Sequence, residues 1–212
     1  MKKKFLPMFP LSMVAYPRER LNLHVFEPRY RQLIDECLAQ NTTFGIPVFL
    51  DDRVQSHGTE MRVAALVQRY DDGRMDVETE GVEVFKVVNF RNPVPGKLYA
   101  GGEVEILTIW GDPQAELVEP LMEKVRELYK ILQTDLKLRV SDYDYLSYEL
   151  AHKVGLSTVQ EYELLSITSE KERQKYLLDH LVHAIPIVSD MERTKDRIRL
   201  NGHFKHFDPL NF

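Results

Sequence analysis

The chain has 212 residues, with 28 Lys and Arg against 33 Asp and Glu, and its formal net charge is −5. At 43% hydrophobic and 29% charged residues, the composition is that of a globular protein, which excludes a disordered or fibrous chain. The acidic balance argues against nucleic acid or an anionic membrane surface as the main partner, because both favour a basic protein face. The single cysteine, Cys37, excludes an internal disulfide and a cysteine-based zinc site, and it predicts a reducing, cytoplasmic location.

The N-terminus, MKKKFLPMFPLSMVAYP, is similar to a secretion signal in its three lysines and the apolar stretch that follows them. Pro7, Pro10 and Pro17 interrupt this stretch, however, and no small-residue cleavage site follows. We therefore predict a first β-strand with a basic start. No run in the chain reaches the roughly 20 apolar residues that a membrane-spanning helix needs, so no membrane association is expected.

Residues 1–112 are predicted to form mainly short strands, since they hold 8 of the 10 glycines and 7 of the 11 prolines, the residues typical of turns. Apolar or alternating segments predict strands at residues 44–50, 61–70, 75–78, 82–90 and 104–108. Asp72-Gly73 predicts a hairpin turn, and Glu80-Gly81 predicts a second turn.

One helix interrupts these strands. Pro28 is suited to a first helical position, and the residues that follow have the spacing of one apolar helix face: Tyr30, Leu33, Ile34, Cys37 and Leu38. Because Cys37 lies on this face, we expect it to pack as a small hydrophobic residue. Many short strands with one helix predict a small, partly closed β-barrel or curled sheet.

Residues 113–212 are predicted to be helical. Asp112 is the expected cap of a helix that starts at Pro113. Ser141 precedes a tyrosine-rich helix that we expect to end at Gly155. The second part of the chain is thus predicted to be a helical bundle.

Two capping boxes predict the last two helices. Ser157 with Gln160 starts a short helix, and Ser169 with Glu172 starts a long one that reaches about Asn201. Pro186 is expected to kink the long helix, because proline removes a backbone hydrogen bond. The long apolar stripe of this helix makes self-association a further prediction.

A search for catalytic or metal-binding patterns finds little. His180 and His183, like His203 and His206, have the i, i+3 spacing that can place two imidazoles on one helix face. A metal site needs a third and a fourth ligand, however, and only Asp179 and Asp208 lie nearby. Neither a G-x-S-x-G elbow nor a G-x-x-x-x-G-K-[ST] phosphate loop occurs. The sequence therefore predicts no metal, no cofactor and no enzymatic activity.

The segment FPLSMVAYPRERLNLHVFEPRYRQLIDECL, residues 9–38, resembles the start of the N-terminal, substrate-binding domain of Lon protease. Its most specific match is the run Phe26-Glu27-Pro28-Arg29-Tyr30 after an apolar strand. Later segments agree in order, including Phe44-Gly45-Ile46, the Asp72-Gly73 turn and ITSEKERQKYLLDHL from Ile167. The resemblance covers nearly the whole chain.

This resemblance implies an α+β fold. An N-terminal PUA-like β pseudo-barrel with one helix would occupy residues 1–112, and a C-terminal α-helical bundle with one long helix would occupy residues 113–212. The ATPase and protease modules of Lon would lie beyond Phe212, so we expect no proteolysis from these residues.

The resemblance also implies a function: a stand-alone recognition module that binds unfolded or hydrophobic protein segments without catalysis. A curled sheet offers strand edges and a concave face to an extended peptide. Phe26 and Tyr30 are the candidate protein-binding residues, and their alternative role is a hydrophobic staple at the start of the first helix. The alternative functions are a small-molecule or RNA binder that uses the barrel, and a structural protein that self-associates through the long helix.

Overall fold

The computed structural model describes residues 2–136 and 143–202, and it confirms an α+β fold with a sheet-rich first part and a helical second part. Within these residues the strands are β1 (Lys2–Met8), β2 (Arg20–Val25), β3 (Phe44–Leu50), β4 (Arg53–Arg69), β5 (Met75–Val87) and β6 (Ala100–Ile106). The helices are α1 (Pro28–Gln40), α2 (Ala115–Ile131), α3 (Leu146–Ala151), α4 (Thr158–Ser166) and α5 (Glu170–Gly202), with a 3-10 turn at Tyr143–Tyr145. The predicted helix start at Ser141 lies outside the described residues.

The strands pair in the order β2-β5-β4-β3-β1-β6, and β6 pairs in addition with β5. The pairing of β1 with β3 is parallel, and the others are antiparallel. Because β6 pairs with both β1 and the end of β5, the pairing runs through five strands and returns to β5. A cluster of buried apolar residues joins β1, β5 and β6 at this point: Leu6, Met8, Phe85, Ala100, Val104 and Ile106.

β4 and β5 form the hairpin predicted at Asp72-Gly73, where Gly73 has a φ of 83° that favours glycine. The second predicted turn, at Glu80-Gly81, is wrong, because β5 continues through Gly81. Gly81 instead permits the close approach of the segment before β2, since a Cβ atom there would lie 2.0 Å from the carbonyl oxygen of Tyr16. This glycine therefore marks a backbone contact and not a turn.

α1 begins at Pro28, as predicted, and its apolar face covers the sheet. Four residues of this face are buried in a cluster with β2, β3, β4 and β5: Tyr30, Leu33, Ile34 and Cys37. The helix ends at Asn41, a left-handed residue whose N–H donates to the carbonyl oxygen of Cys37. This packing holds the start of α1 beside the end of β2.

Asp112 does not cap the helix that follows it, so this prediction is wrong. α2 begins at Ala115, two residues later than predicted. The Asp112 carboxylate instead accepts hydrogen bonds from the Ser169 hydroxyl at 3.0 Å and from the N–H of Lys171 at 3.3 Å, at the start of α5. The unpaired N–H groups of a first helical turn attract a carboxylate, which explains this partner.

Both predicted capping serines are confirmed. Ser157 Oγ accepts from the N–H of Gln160 at 3.3 Å, and Gln160 Oε1 accepts from the N–H of Ser157 at 2.9 Å. Ser169 Oγ accepts from the N–H of Glu172 at 3.3 Å at the start of α5. α5 then continues through Pro186 to the end predicted for it, and a kink at this proline stays a prediction.

The largest apolar cluster joins the two parts of the chain. It contains buried residues of the four later helices together with Val14, Tyr16, Val48 and Val84 of the first part. The helices therefore pack on the sheet through apolar side chains, and the division near residue 112 stays a prediction. No helix in the described part of the chain is long and apolar enough to cross a bilayer.

Candidate functional site

A groove of about 970 Å³ opens beside the start of α1. Its walls come from the segment after β1, the end of β2, the start of α1, the region around the β3–β4 turn and the segment that includes the end of β5. Large apolar side chains line it: Phe9, Leu11, Phe26, Tyr30, Phe49 and Phe90. Phe26 and Tyr30 are the predicted pair, and the other four come from segments that only the fold brings beside them.

Phe26 and Tyr30 have different environments in this groove. Tyr30 is 6% exposed, and its ring stacks on that of Phe9 with 3.7 Å between the centroids. Phe26 is 59% exposed, and its ring lies near that of His24, with 6.1 Å between the centroids. The two rings thus pack with different neighbours. Tyr30 forms part of the buried wall, while Phe26 presents its surface to solvent.

A polar set lies next to Phe26. His24 Nδ1 is 2.6 Å from Asp76 Oδ1, and the Tyr70 hydroxyl donates to Asp76 Oδ2 at 2.7 Å. The Tyr70 hydroxyl and His24 lower the pKa of Asp76, so this carboxylate stays ionised and orients the imidazole. No sequence pattern indicates this set, because His24 and Asp76 face each other only through the β2–β5 register.

Charged residues of both signs surround the groove. Arg29 pairs with Glu27 at 2.8 Å, and its guanidinium lies 4.5 Å from the centre of the Tyr30 ring. Asp52 and Arg53, both exposed, come from the β3–β4 turn region. This balance of charge gives the groove no strong preference for a polyanion, and the apolar walls dominate.

The predicted histidine pair of α5 hydrogen-bonds to the main chain. His180 Nε2 lies 3.1 Å from one carbonyl oxygen, and His183 Nδ1 lies 2.7 Å from another. Across the part of the chain that the structure describes, no group of three His, Cys, Asp or Glu side chains could hold a metal ion. The second predicted pair, His203 and His206, lies outside the described residues.

The chain is similar to proteins of one family along most of its length. The sequence model of the ATP-dependent protease La (LON) substrate-binding domain matches residues 5–183. A LON peptidase N-terminal domain and RING finger protein of Schizosaccharomyces pombe is 25% identical over 215 aligned residues, which cover 81% of this chain and 44% of that protein. The chain therefore spans less than half the length of this relative.

Solved structures show the same fold. The Lon N-terminal domain protein from Xanthomonas campestris superposes with a TM-score of 0.68 at 26% identity, covering 83% of this chain and 98% of that one. The N-terminal domain of Mycobacterium avium complex Lon protease superposes with a TM-score of 0.64 at 19% identity, covering 84% of this chain and 98% of that one. This second similarity concerns the fold alone. Since the family's sequence model matches well over half of the residues, this chain belongs to the Lon substrate-binding domain family.

Proposed function

We propose that this chain is a non-catalytic recognition module that holds an extended, apolar segment of an unfolded protein in the groove beside α1. Membership of a substrate-binding family supports a protein ligand. The observation that carries the proposal is the exposure of Phe26, of which 59% faces solvent at the groove. A ligand that covers this ring gains about 25 cal/mol for each Å² of apolar surface removed from water.

The neighbouring strand edge supports an extended ligand. β2 ends the pairing order and, among the described residues, pairs only with β5. Its second edge therefore offers main-chain N–H and C=O groups, and Leu23 and His24 of the same strand line the groove. A peptide that adds a strand to β2 would direct alternate side chains toward the apolar wall, which combines main-chain affinity with side-chain selection.

The polar groups at the groove support binding without catalysis. One ring nitrogen of His24, Nδ1, already hydrogen-bonds to the Asp76 carboxylate. No serine or cysteine in the described ranges hydrogen-bonds to this imidazole, so His24 does not form a Ser–His or Cys–His nucleophile pair with them. We therefore propose that His24 contributes a hydrogen bond to the ligand and does not act as a catalytic base.

Three other predictions continue as proposals. The pairing of β6 with both β1 and β5 supports a PUA-like pseudo-barrel. Two of the apolar clusters contain only residues of the first part, which supports a division near residue 112. The free, buried Cys37 supports a cytoplasmic location, because thiols persist in reducing compartments.

Fluorescence polarisation with labelled peptides tests the proposed function. We expect apolar peptides to bind and polar peptides of equal length and charge not to bind. Phe26→Ser should weaken binding about tenfold, which corresponds to about 1.4 kcal/mol of lost apolar contact. Leu98→Ser is the matched control, since Leu98 is 58% exposed but does not line the groove. Equal binding of both peptide classes, or equal loss in both variants, contradicts the proposal.

A small-molecule ligand is the second candidate, and the oriented imidazole of His24 favours it. RNA is the other alternative, and the positive charges of Arg29 and Arg53 at the groove support it. A thermal-shift screen with metabolites, nucleotides and a short RNA separates these candidates from a peptide. A ligand that stabilises the protein and whose effect is lost in Phe26→Ser would replace the peptide as the proposed occupant.

A further inference from the structure

The buried contacts of α5 end before the helix does. Leu177, Leu181 and Ile185 are buried in the largest apolar cluster, and Val188 is the last described side chain that packs on it. The 14 residues from Ser189 to Gly202 continue the helix for about 21 Å at 1.5 Å per residue. This half of α5 therefore projects beyond the bundle that holds its first half.

From Ile187 onward, one face of α5 carries three apolar residues and one threonine at heptad spacing. The positions follow each other by four, three and four residues, and we call them the α5 stripe: Ile187, Met191, Thr194 and Ile198. Ile187 is 63% exposed, Met191 56% and Ile198 66%. The Thr194 hydroxyl already donates to a main-chain carbonyl oxygen one turn earlier at 2.8 Å, so the residue can enter an apolar contact. Such a spacing is typical of a helix that packs on another helix.

We propose that a second copy of this chain covers the α5 stripe, with the two α5 helices antiparallel. In this arrangement Ile187 of each copy lies opposite Ile198 of the other, and Met191 lies opposite Thr194. Both ends of the contact thus bury isoleucine against isoleucine. The rest of each molecule lies at opposite ends of the contact, whereas a parallel arrangement brings both bodies to the same end.

The charges beside the stripe are complementary between two copies. Asp190 and Arg197 occupy the heptad position that flanks the stripe on one side, and antiparallel helices bring these positions together. Asp190 of each copy therefore meets Arg197 of the other, so the contact contains two attractive pairs. Within the part of one copy that the structure describes, the Asp190 carboxylate has only a long 3.7 Å pair with Arg193, and both side chains are largely exposed. The acidic carboxylate is thus available to a second helix.

The contact is short, so we expect weak association. Four layers of side chains bury less area than a standard protein interface, which places the dissociation constant in the range of about 10–100 μM. A monomer at low concentration and a dimer at high concentration are the expected species. This inference does not depend on the ligand of the groove.

Sedimentation equilibrium of the full chain, from about 5 to 500 μM, tests the proposal. We expect a monomer–dimer equilibrium that Ile187→Lys with Ile198→Lys weakens at least tenfold. Val182→Lys is the matched control, because Val182 is 49% exposed on the same helix but lies off the stripe. Circular dichroism confirms that each variant is folded. A monomer at all concentrations, or equal weakening by the control, overturns the proposal.

Charge reversal tests the antiparallel arrangement. Asp190→Arg should weaken the dimer, since it places like charges together, and adding Arg197→Asp should restore it. Failure of this rescue overturns the antiparallel pairing. If the full chain is a monomer and dimerises only after residues 203–212 are removed, that segment of the same chain covers the α5 stripe. This outcome would also overturn the proposal.

Discussion

The carboxylate of Glu170 and the guanidinium of Arg173 lie 2.7 Å apart inside the helical part, and both side chains are 0% exposed. Ser147 of α3 completes the set, since its hydroxyl donates to Glu170 at 2.6 Å and accepts from Arg173 Nε at 2.8 Å. The guanidinium also lies 4.1 Å from the centre of the Tyr148 ring. This buried network fixes α3 on the first turn of α5.

Arg173→Leu should strongly destabilise the protein, because it leaves the Glu170 carboxylate buried without its cation. We expect a loss of about 3–5 kcal/mol in the free energy of unfolding. Lys175→Leu is the matched control: it breaks the Glu172–Lys175 pair, which has the same spacing on the same helix but is about half exposed. The control should cost less than about 0.5 kcal/mol. Urea unfolding measures the free energy of unfolding of both variants. Similar losses in the two would show that the buried pair contributes no more than the exposed one.

Gly81→Ala should also destabilise the protein, because its Cβ atom would lie 2.0 Å from the carbonyl oxygen of Tyr16. Backbone atoms must shift to relieve this overlap, at an expected cost of about 2–4 kcal/mol. Gly96→Ala is the comparison, since Gly96 has a φ of 74° but no atom near the added Cβ. It should cost only about 1 kcal/mol of backbone strain. Thermal unfolding that ranks the two variants in the reverse order would disprove this reading.

Elements whose signals lie within one helical turn could be predicted from the sequence. The helix starts at Pro28 and Ser157 depend on neighbours one to three residues away, and both are confirmed. The roles of Gly81 and Asp112 depend on partners that are distant in the chain. Residue type therefore indicated that each position matters, but it could not indicate which segment the residue contacts.

The same distinction applies to the groove. Phe26 and Tyr30 could be selected from one continuous run, and both line the groove, although their binding of protein stays a prediction. Phe49 and Phe90 belong to other segments, and only the folded sheet brings them to the same wall. The His24–Asp76 contact requires the exact strand register, which periodicity alone does not determine.

Phe26→Ala and Tyr30→Ala should separate binding from stability. Phe26 is 59% exposed, so its replacement should change the free energy of unfolding by less than about 0.5 kcal/mol. Tyr30 is 6% exposed and stacked on Phe9, so its replacement should cost about 3–5 kcal/mol. Chemical denaturation measures both values. A large loss in Phe26→Ala would show that this residue supports the fold and not a ligand.

Cys37 should react slowly in the folded protein. Burial raises the pKa of its thiol to about 11, and the residue is 2% exposed. Both effects lower the fraction of Cys37 that is present as accessible, reactive thiolate. We therefore expect a disulfide reagent near pH 8 to react with the folded protein at least about 100-fold more slowly than with the protein unfolded in urea. The absorbance of the released thiol follows the reaction. A native rate within a few-fold of the rate in urea would contradict the buried position.

His152, the residue directly after α3, links two acidic residues from different parts of the chain. Its Nε2 lies 3.3 Å from Glu19, in the segment before β2, and its Nδ1 lies 2.7 Å from Glu161 of α4. Hydrogen bonding to Glu19 and then to Glu161 raises the pKa of His152 from 6.5 to about 9, against the opposing effect of burial. The protonated imidazole thus attaches the helices to the sheet-rich part.

This raised pKa predicts a loss of stability at alkaline pH. The folded state binds the proton more tightly than the unfolded state, so the contribution is complete below pH 6.5 and disappears as the pH rises through about 9. Because the side chain is 34% exposed, solvent screening reduces the effect to about 1 kcal/mol.

Urea unfolding of the wild type and of His152→Gln at about pH 6 and pH 10 measures this contribution to the free energy of unfolding. The wild type should be the more stable near pH 6, and the difference should vanish near pH 10. A difference that stays constant between these two values would show that the Glu19 and Glu161 contacts do not hold the proton.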